Sequence, residues 1–362
     1  MKLRDVAKIL PALWKNRITL HLEGPPGCGK TDWARNQAPK IIAASTGAKE
    51  FGFKEVHLTS YEAPDVRGFL MPVTDGDGEL VGKFTRPTMA PDKDAPEEGV
   101  ILCDEYSQSE HDIQKATAPA LLDGKMGDYQ LPPGWQIMTA GNRMADRAGV
   151  VKTLSHIENR RCVVSVEVDT KDWAVDYAQP HGLHPLLIAG AMFLPSVLTE
   201  PQPRDGGPYC TLRSYTRLCK FAQDYVGAPE SIGGALKDDP LVMEVASGMI
   251  GASAAARMLG FLSIAGEVPT YAQVIKAPDV CAKIPAGRLD VLYATTQMVL
   301  SNAKAEHADE LFVFATHLPK EFQPGMLADL IVKIGPKLVT NPLFAGWIAQ
   351  PGNAALVQAA RG

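Results

Sequence analysis

The sequence predicts an α/β core built on a parallel sheet and continued by an all-helical half. Three observations predict this. Short β-rich runs alternate with helical ones through about residue 168, a glycine-rich turn joins the first strand to the first helix, and the β signal fades beyond Asp169. Candidate strands are 18–22, 55–58, 100–103, 136–139 and 162–166, with helical stretches at 31–45 and 109–122 between some of them. Strands separated by helices of this length need crossover connections, which produce parallel pairing with helices on both faces. Beyond Asp169, Ala, Leu and Met recur at helical spacing through 185–194, 214–225, 240–265 and 288–304. A run rich in Pro and Gly at 201–208 reads as an exposed loop within that helical part.

The 362 residues, 46% hydrophobic and 21% charged, are enough for two or three domains with a full apolar core. A net charge of -5 argues against a general electrostatic grip on nucleic acid. The six cysteines form no C-x-x-C pair, so neither a zinc knuckle nor a redox dithiol is expected; they read as reduced, buried thiols of a cytoplasmic protein. The first 16 residues alternate charged and apolar side chains and lack the apolar run of a signal peptide. The apolar stretch 185–195 is too short to span a bilayer, and the longer 249–266 carries Arg257, so no membrane association is expected.

Chemistry enters at Gly24, Pro25, Pro26, Gly27, Cys28, Gly29, Lys30 and Thr31. They match the phosphate-loop pattern G-x-x-x-x-G-K-[ST] in the required setting, after a strand and at the start of a helix. Glycines let backbone N–H groups turn toward phosphates, and the helix N-terminus adds its dipole. Lys30 then reaches the β and γ phosphates, and the Thr31 hydroxyl is available to Mg²⁺. The apolar run 100–103 ends in Asp104 and Glu105. Adjacent acids at the end of a buried strand make sense where they meet a cation or water at the sheet's carboxyl edge. Asp104 is expected to hold the Mg²⁺ shell and Glu105 to orient or deprotonate the attacking water.

With these motifs the chain resembles the AAA+ ATPases, and within them the MoxR-like group. The narrower resemblance rests on 63–68 (Ala-Pro-Asp-Val-Arg-Gly), on 121–132 as a helix end and hairpin, and on 139–149 around Asn142. It spans about residues 24–217. It implies a P-loop AAA+ core at 1–168, a helical lid at 169–265 and a C-terminal helical extension at 266–362. It further implies that Asn142 is the sensor 1 residue, holding the lytic water and a γ-phosphate oxygen. Arg160, in the pair Asn159 and Arg160, takes the place of an arginine finger acting on a neighbour's nucleotide. Relatives typically carry an aromatic residue where Arg161 stands, which leaves Arg160 and Arg161 both open for that role. Arg213 matches sensor 2, with Arg217 as second candidate.

The resemblance thus implies a Mg²⁺-dependent ATPase that forms a homo-oligomeric ring, a hexamer, and remodels or activates a protein partner with a von Willebrand factor A domain. The alternative is a AAA+ motor or loader acting on nucleic acid, against which stand the acidic balance and the lack of a basic stripe interleaved with aromatics. Asp65 and Arg67 receive no catalytic role. His181 and His184 lack a metal-ligating partner nearby and read as loop residues, while Tyr129 and Trp135 read as packing residues of the hairpin. Lys152 is equally compatible with an intersubunit surface and with solvent.

Overall fold

In a computed structural model, five strands form one parallel sheet: β1 (Thr19–Glu23), β2 (Gly52–His57), β3 (Glu98–Asp104), β4 (Gly134–Gly141) and β5 (Arg161–Ser165). The structure describes all residues except 147–149, 152–154, 204–205, 228–231, 238, 286, 356 and 358–362, and leaves the side chains of 155–156, 233–234, 237 and 336 undescribed. The spatial order is β2-β3-β4-β1-β5, with every pairing parallel. From β1 the chain travels outward to β2, returns through β3 and β4, and crosses to the far side of β1 for β5. The order therefore reverses between β1 and β4, and ligands of open α/β sheets bind outside the carboxyl ends of the strands at such a reversal. This is the predicted fold class at the level of architecture: a parallel sheet flanked by helices, followed by a helical region.

The strands read as near-continuous apolar runs because both faces of the sheet are covered. Along β3, Val100 and Leu102 enter one core with Leu20, Leu22, Met138 and residues of the helices Leu3–Lys15 and Ala38–Thr46. Ile101 and Cys103 enter the opposite core with Val56, Ile137 and residues of the helix His111–Asp123. All four are 0% exposed, so each aliphatic one contributes about 1.5–3 kcal/mol of burial.

Three elements differ from expectation for local reasons. The predicted helix at 31–45 is two helices, Lys30–Asn36 and Ala38–Thr46. Pro39 has no N–H for the ladder and its ring would clash with the preceding turn, so the chain re-enters helix with Pro39 in the first turn. The predicted stretch 240–265 breaks at Gly251, whose φ of +86° no helical residue adopts, into Pro240–Ile250 and Ala252–Phe261 before a 3-10 segment. Trp135 lies in β4 rather than in the hairpin. It packs at 3% exposure over Gly52 and Gly99, with its indole Nε1 donating to the Pro96 carbonyl at 2.9 Å.

The hairpin Lys125–Met126 with Tyr129–Gln130 occurs where the resemblance implies it. A second hairpin, Leu70–Thr74 with Leu80–Phe84, was not predicted. Its turn is closed by Asp75, whose Oδ1 accepts from the Asp77 and Glu79 N–H groups at 3.0 and 2.9 Å.

The chain divides into two compact units. One comprises Met1–Asp169 with Thr211–Arg213, and the other Thr170–Cys210 with Ser214–Gly362. The second contains no strand among its described residues. Within it, the helices Leu289–Asn302, Ala308–His317, Gln323–Ile334 and Pro342–Ile348 share a core that includes Val299, Leu311, Phe314, Leu327 and Phe344. All six cysteines are free thiols, and no described helix is long and apolar enough to cross a membrane.

Candidate active site

The loop 24–29 leaves β1, and the helix Lys30–Asn36 begins at its end. Gly29 serves as N-cap with φ +96° and Gly27 has φ +71°, both left-handed values that glycine adopts without strain. A Cβ on Gly27 would also lie 2.7 Å from Thr211 Oγ1 and 3.2 Å from Arg213 Cβ. The loop is thus held in a conformation only glycine fits, with the start of the helix Leu212–Val226 against it.

Lys30 is 7% exposed, and its ammonium folds back on its own loop. It donates to the carbonyls of Gly24 at 2.7 Å and Pro25 at 2.9 Å, and to Asn142 Oδ1 at 3.1 Å. Three donors meet three oxygen acceptors, with Cys28 Sγ 3.8 Å away. Burial pulls the Lys30 pKa down from its ordinary value, opposed by the nearby Cys28, Asp104 and Asp146.

Asp104 ends β3 at 8% exposure. Thr31 Oγ1 donates to its Oδ2 at 2.6 Å, and the Glu105 N–H donates to its Oδ1 at 2.8 Å. Glu105 has φ +57°, a left-handed conformation uncommon for a residue with a side chain and frequent at functional sites. Its carboxylate accepts a hydrogen bond from the Thr59 hydroxyl.

The structure therefore brings together the phosphate loop, Lys30, Thr31, Asp104, Glu105 and Asn142. Arg213 is exposed in the first turn of its helix beside Gly27, and Arg217 is exposed one turn on. Arg160 is half-buried and donates to the Ala118 carbonyl at 2.8 Å. Arg161 stacks over the Tyr106 ring, 4.9 Å from its centroid. Lys152 lies outside the described residues. Asp65 closes a capping box with Glu62, and Arg67 stacks on Phe84 at 5.8 Å.

Two groups escaped the sequence reading. Thr59 lies just beyond β2, whose His57 pairs with Asp104, so that register carries the chain to the level of Glu105. Beneath the loop, His21 is 1% exposed with Nδ1 2.7 Å from Thr139 Oγ1. Its Nε2 has no hydrogen-bond partner among the described residues. Burial, reinforced by the positive charges of Arg161 and Lys30, holds its pKa well below the ordinary histidine value.

The hard oxygens of Thr31 and Asp104 suit Mg²⁺, which takes one or two protein oxygens and completes its octahedron with water and phosphate. Glu55 and His57 lie close enough to Asp104 to join a metal site. Arg35, however, engages both Glu55 oxygens at 2.8 Å and satisfies that carboxylate, leaving Asp104 and Thr31 as the donor pair.

No protein-family model matches the sequence, and no curated protein matches it. Among solved structures, the chain is similar to a mutant of RuvB from Thermotoga maritima at 16% identity and TM-score 0.32, over 75% of this chain and 74% of that one. It is similar to NtrX from Brucella abortus in complex with ATP at 14% identity and TM-score 0.33, over 85% and 64%. It is also similar to the S. cerevisiae Hsp104-ADP complex at 13% identity and TM-score 0.38, over 99% of this chain and 47% of that one.

Proposed function

We propose that this chain is a Mg²⁺-dependent ATPase of the MoxR-like AAA+ kind, which assembles into a homo-oligomeric ring and uses ATP to remodel or activate a protein partner. One observation carries the hydrolytic part: a buried lysine, a threonine, an aspartate, a glutamate and an asparagine from three strand ends converge on one left-handed glycine loop. Surface ion pairs do not require that convergence, whereas phosphoryl transfer does, because its catalysis is positioning and charge stabilisation.

In this reading the N–H groups of the loop and the Lys30 ammonium receive the β and γ phosphates of ATP. Lys30 exchanges its bonds to the Gly24 and Pro25 carbonyls for phosphate oxygens, which are stronger acceptors because they are charged. Thr31 and Asp104 would hold the Mg²⁺ ion, which when bound neutralises charge on the phosphates. Asn142, freed from Lys30, orients the lytic water with its amide. Glu105 takes that water's proton, with the Thr59 hydroxyl holding one of its two carboxylate oxygens.

The oligomeric ring, Arg160 as a finger toward a neighbour's γ-phosphate, Arg213 as a sensor, and the division into core at 1–168, lid at 169–265 and extension at 266–362 rest on the motif resemblance. So does a partner with a von Willebrand factor A domain, while a cytoplasmic location rests on the unpaired cysteines. The test is ATP turnover in mixtures of Lys30→Ala and Arg160→Ala subunits, each inactive alone. Mixed assemblies that regain turnover support a site shared between subunits; no recovery at any ratio contradicts it.

A further inference from the structure

Glu105 holds a left-handed backbone, and such a conformation persists in a residue with a side chain only where its surroundings over-determine it. Those surroundings are visible one residue on. Tyr106 is 0% exposed and opens the single 3-10 turn that follows Glu105. His21 approaches its ring edge-on, with centroids 6.0 Å apart and planes at 69°. Its hydroxyl accepts from Thr117 Oγ1 at 3.4 Å. The Arg161 guanidinium lies over its ring at 4.9 Å. A desolvated cation over an aromatic face is among the stronger contacts a ring can make, and this guanidinium is half-buried.

We infer that Arg161 is a positioning residue acting within its own chain: by seating the Tyr106 ring it fixes the left-handed turn at Glu105, while its neighbour Arg160 is the arginine left for a neighbouring subunit. The two side chains diverge in the structure. Arg160 reaches the Ala118 carbonyl, whereas Arg161 turns onto Tyr106 at the first residue of β5. Arg161 therefore links the strand after Arg160 to the residue after Glu105. This inference rests on the proposed role of Glu105 as the base in ATP hydrolysis.

The experiment measures kcat and KM for ATP in the full chain carrying Arg161→Met, Arg161→Lys, Tyr106→Leu, Tyr106→Phe and the double change of Arg161→Met with Tyr106→Leu. Arg161→Met and Tyr106→Leu are each expected to lower kcat about tenfold, with KM within about twofold of wild type. Tyr106→Phe keeps the ring and Arg161→Lys keeps the cation, so both should retain most of the rate, and both preserve a folded comparison if the larger changes do not. The double variant should fall no further than the worse single, since both remove the same contact. Mixing Arg161→Met with Glu105→Gln subunits should restore nothing, because every site then carries a defect in its own chain.

Independent, multiplying losses in the double variant overturn the inference, and so does recovery in the mixture, which would make Arg161 the group acting between subunits. Turnover abolished by Glu105→Gln yet untouched by Arg161→Met overturns this inference alone. Turnover that survives Glu105→Gln overturns the hydrolytic reading beneath it.

Discussion

Acid should destabilise this protein through one buried imidazole. His21 sits under the phosphate loop between β4 and the Tyr106 ring, with Arg161 and Lys30 as the charges acting on it, and it stays neutral in the folded chain. In the unfolded chain it titrates near its ordinary value of 6.5. Below that pH the unfolded state binds a proton that the folded state refuses, so stability falls as pH falls, until the depressed folded pKa is reached. Between about pH 7.5 and about pH 5.5 the linkage removes about 1.4 kcal/mol for this single group. The assay is urea unfolding across that range for wild type and His21→Gln, which keeps a partner for Thr139 but carries no proton. The difference between the two stability curves isolates His21 from the other seven histidines. Parallel curves would refute the assignment of His21 as a neutral buried group.

Two glycine substitutions test the packing around the site and the sheet. Gly27→Ala puts a Cβ into a left-handed residue and against Thr211, at a combined cost of about 2–5 kcal/mol. Weaker ATP binding and a lower melting temperature are expected, and wild-type values for both would contradict the loop geometry. Gly99→Ala places its Cβ 2.4 Å from Trp135 Cζ2, so the indole must leave its place and its bond to Pro96. Overpacking and the lost hydrogen bond together predict a loss of about 2–4 kcal/mol by chemical denaturation, and an unchanged midpoint would mean that Trp135 is not wedged there.

The core and the loop were legible because their signals are local and redundant. An apolar run buried on both faces, a left-handed glycine turn and a helix start coincide within 19–31, and Asp104 and Glu105 interrupt an otherwise apolar strand. What the sequence hid is what depends on cross-strand register. Thr59 meets Glu105 only because β2 and β3 pair with His57 level with Asp104. Gly52 and Gly99 face Trp135 only because β2, β3 and β4 align at that level. Arg161 showed its departure from the aromatic pattern, but its stacking on Tyr106 follows from long-range packing that no spacing rule encodes. The unpredicted hairpin at 70–84 has a clear turn, yet it lacks the alternation of a half-buried strand because Leu70, Met71, Val73 and Leu80 are all exposed.

The claim that this constellation hydrolyses ATP is tested most directly by Glu105→Gln. The substitution keeps the side-chain shape and the Asp104 contact of the backbone N–H, while removing the carboxylate proposed to accept the water's proton. A positioned general base contributes about 10²–10⁴ in rate. ATP turnover should therefore fall by that factor while ATP affinity stays within a fewfold of wild type. Turnover at the wild-type rate in Glu105→Gln would contradict the account.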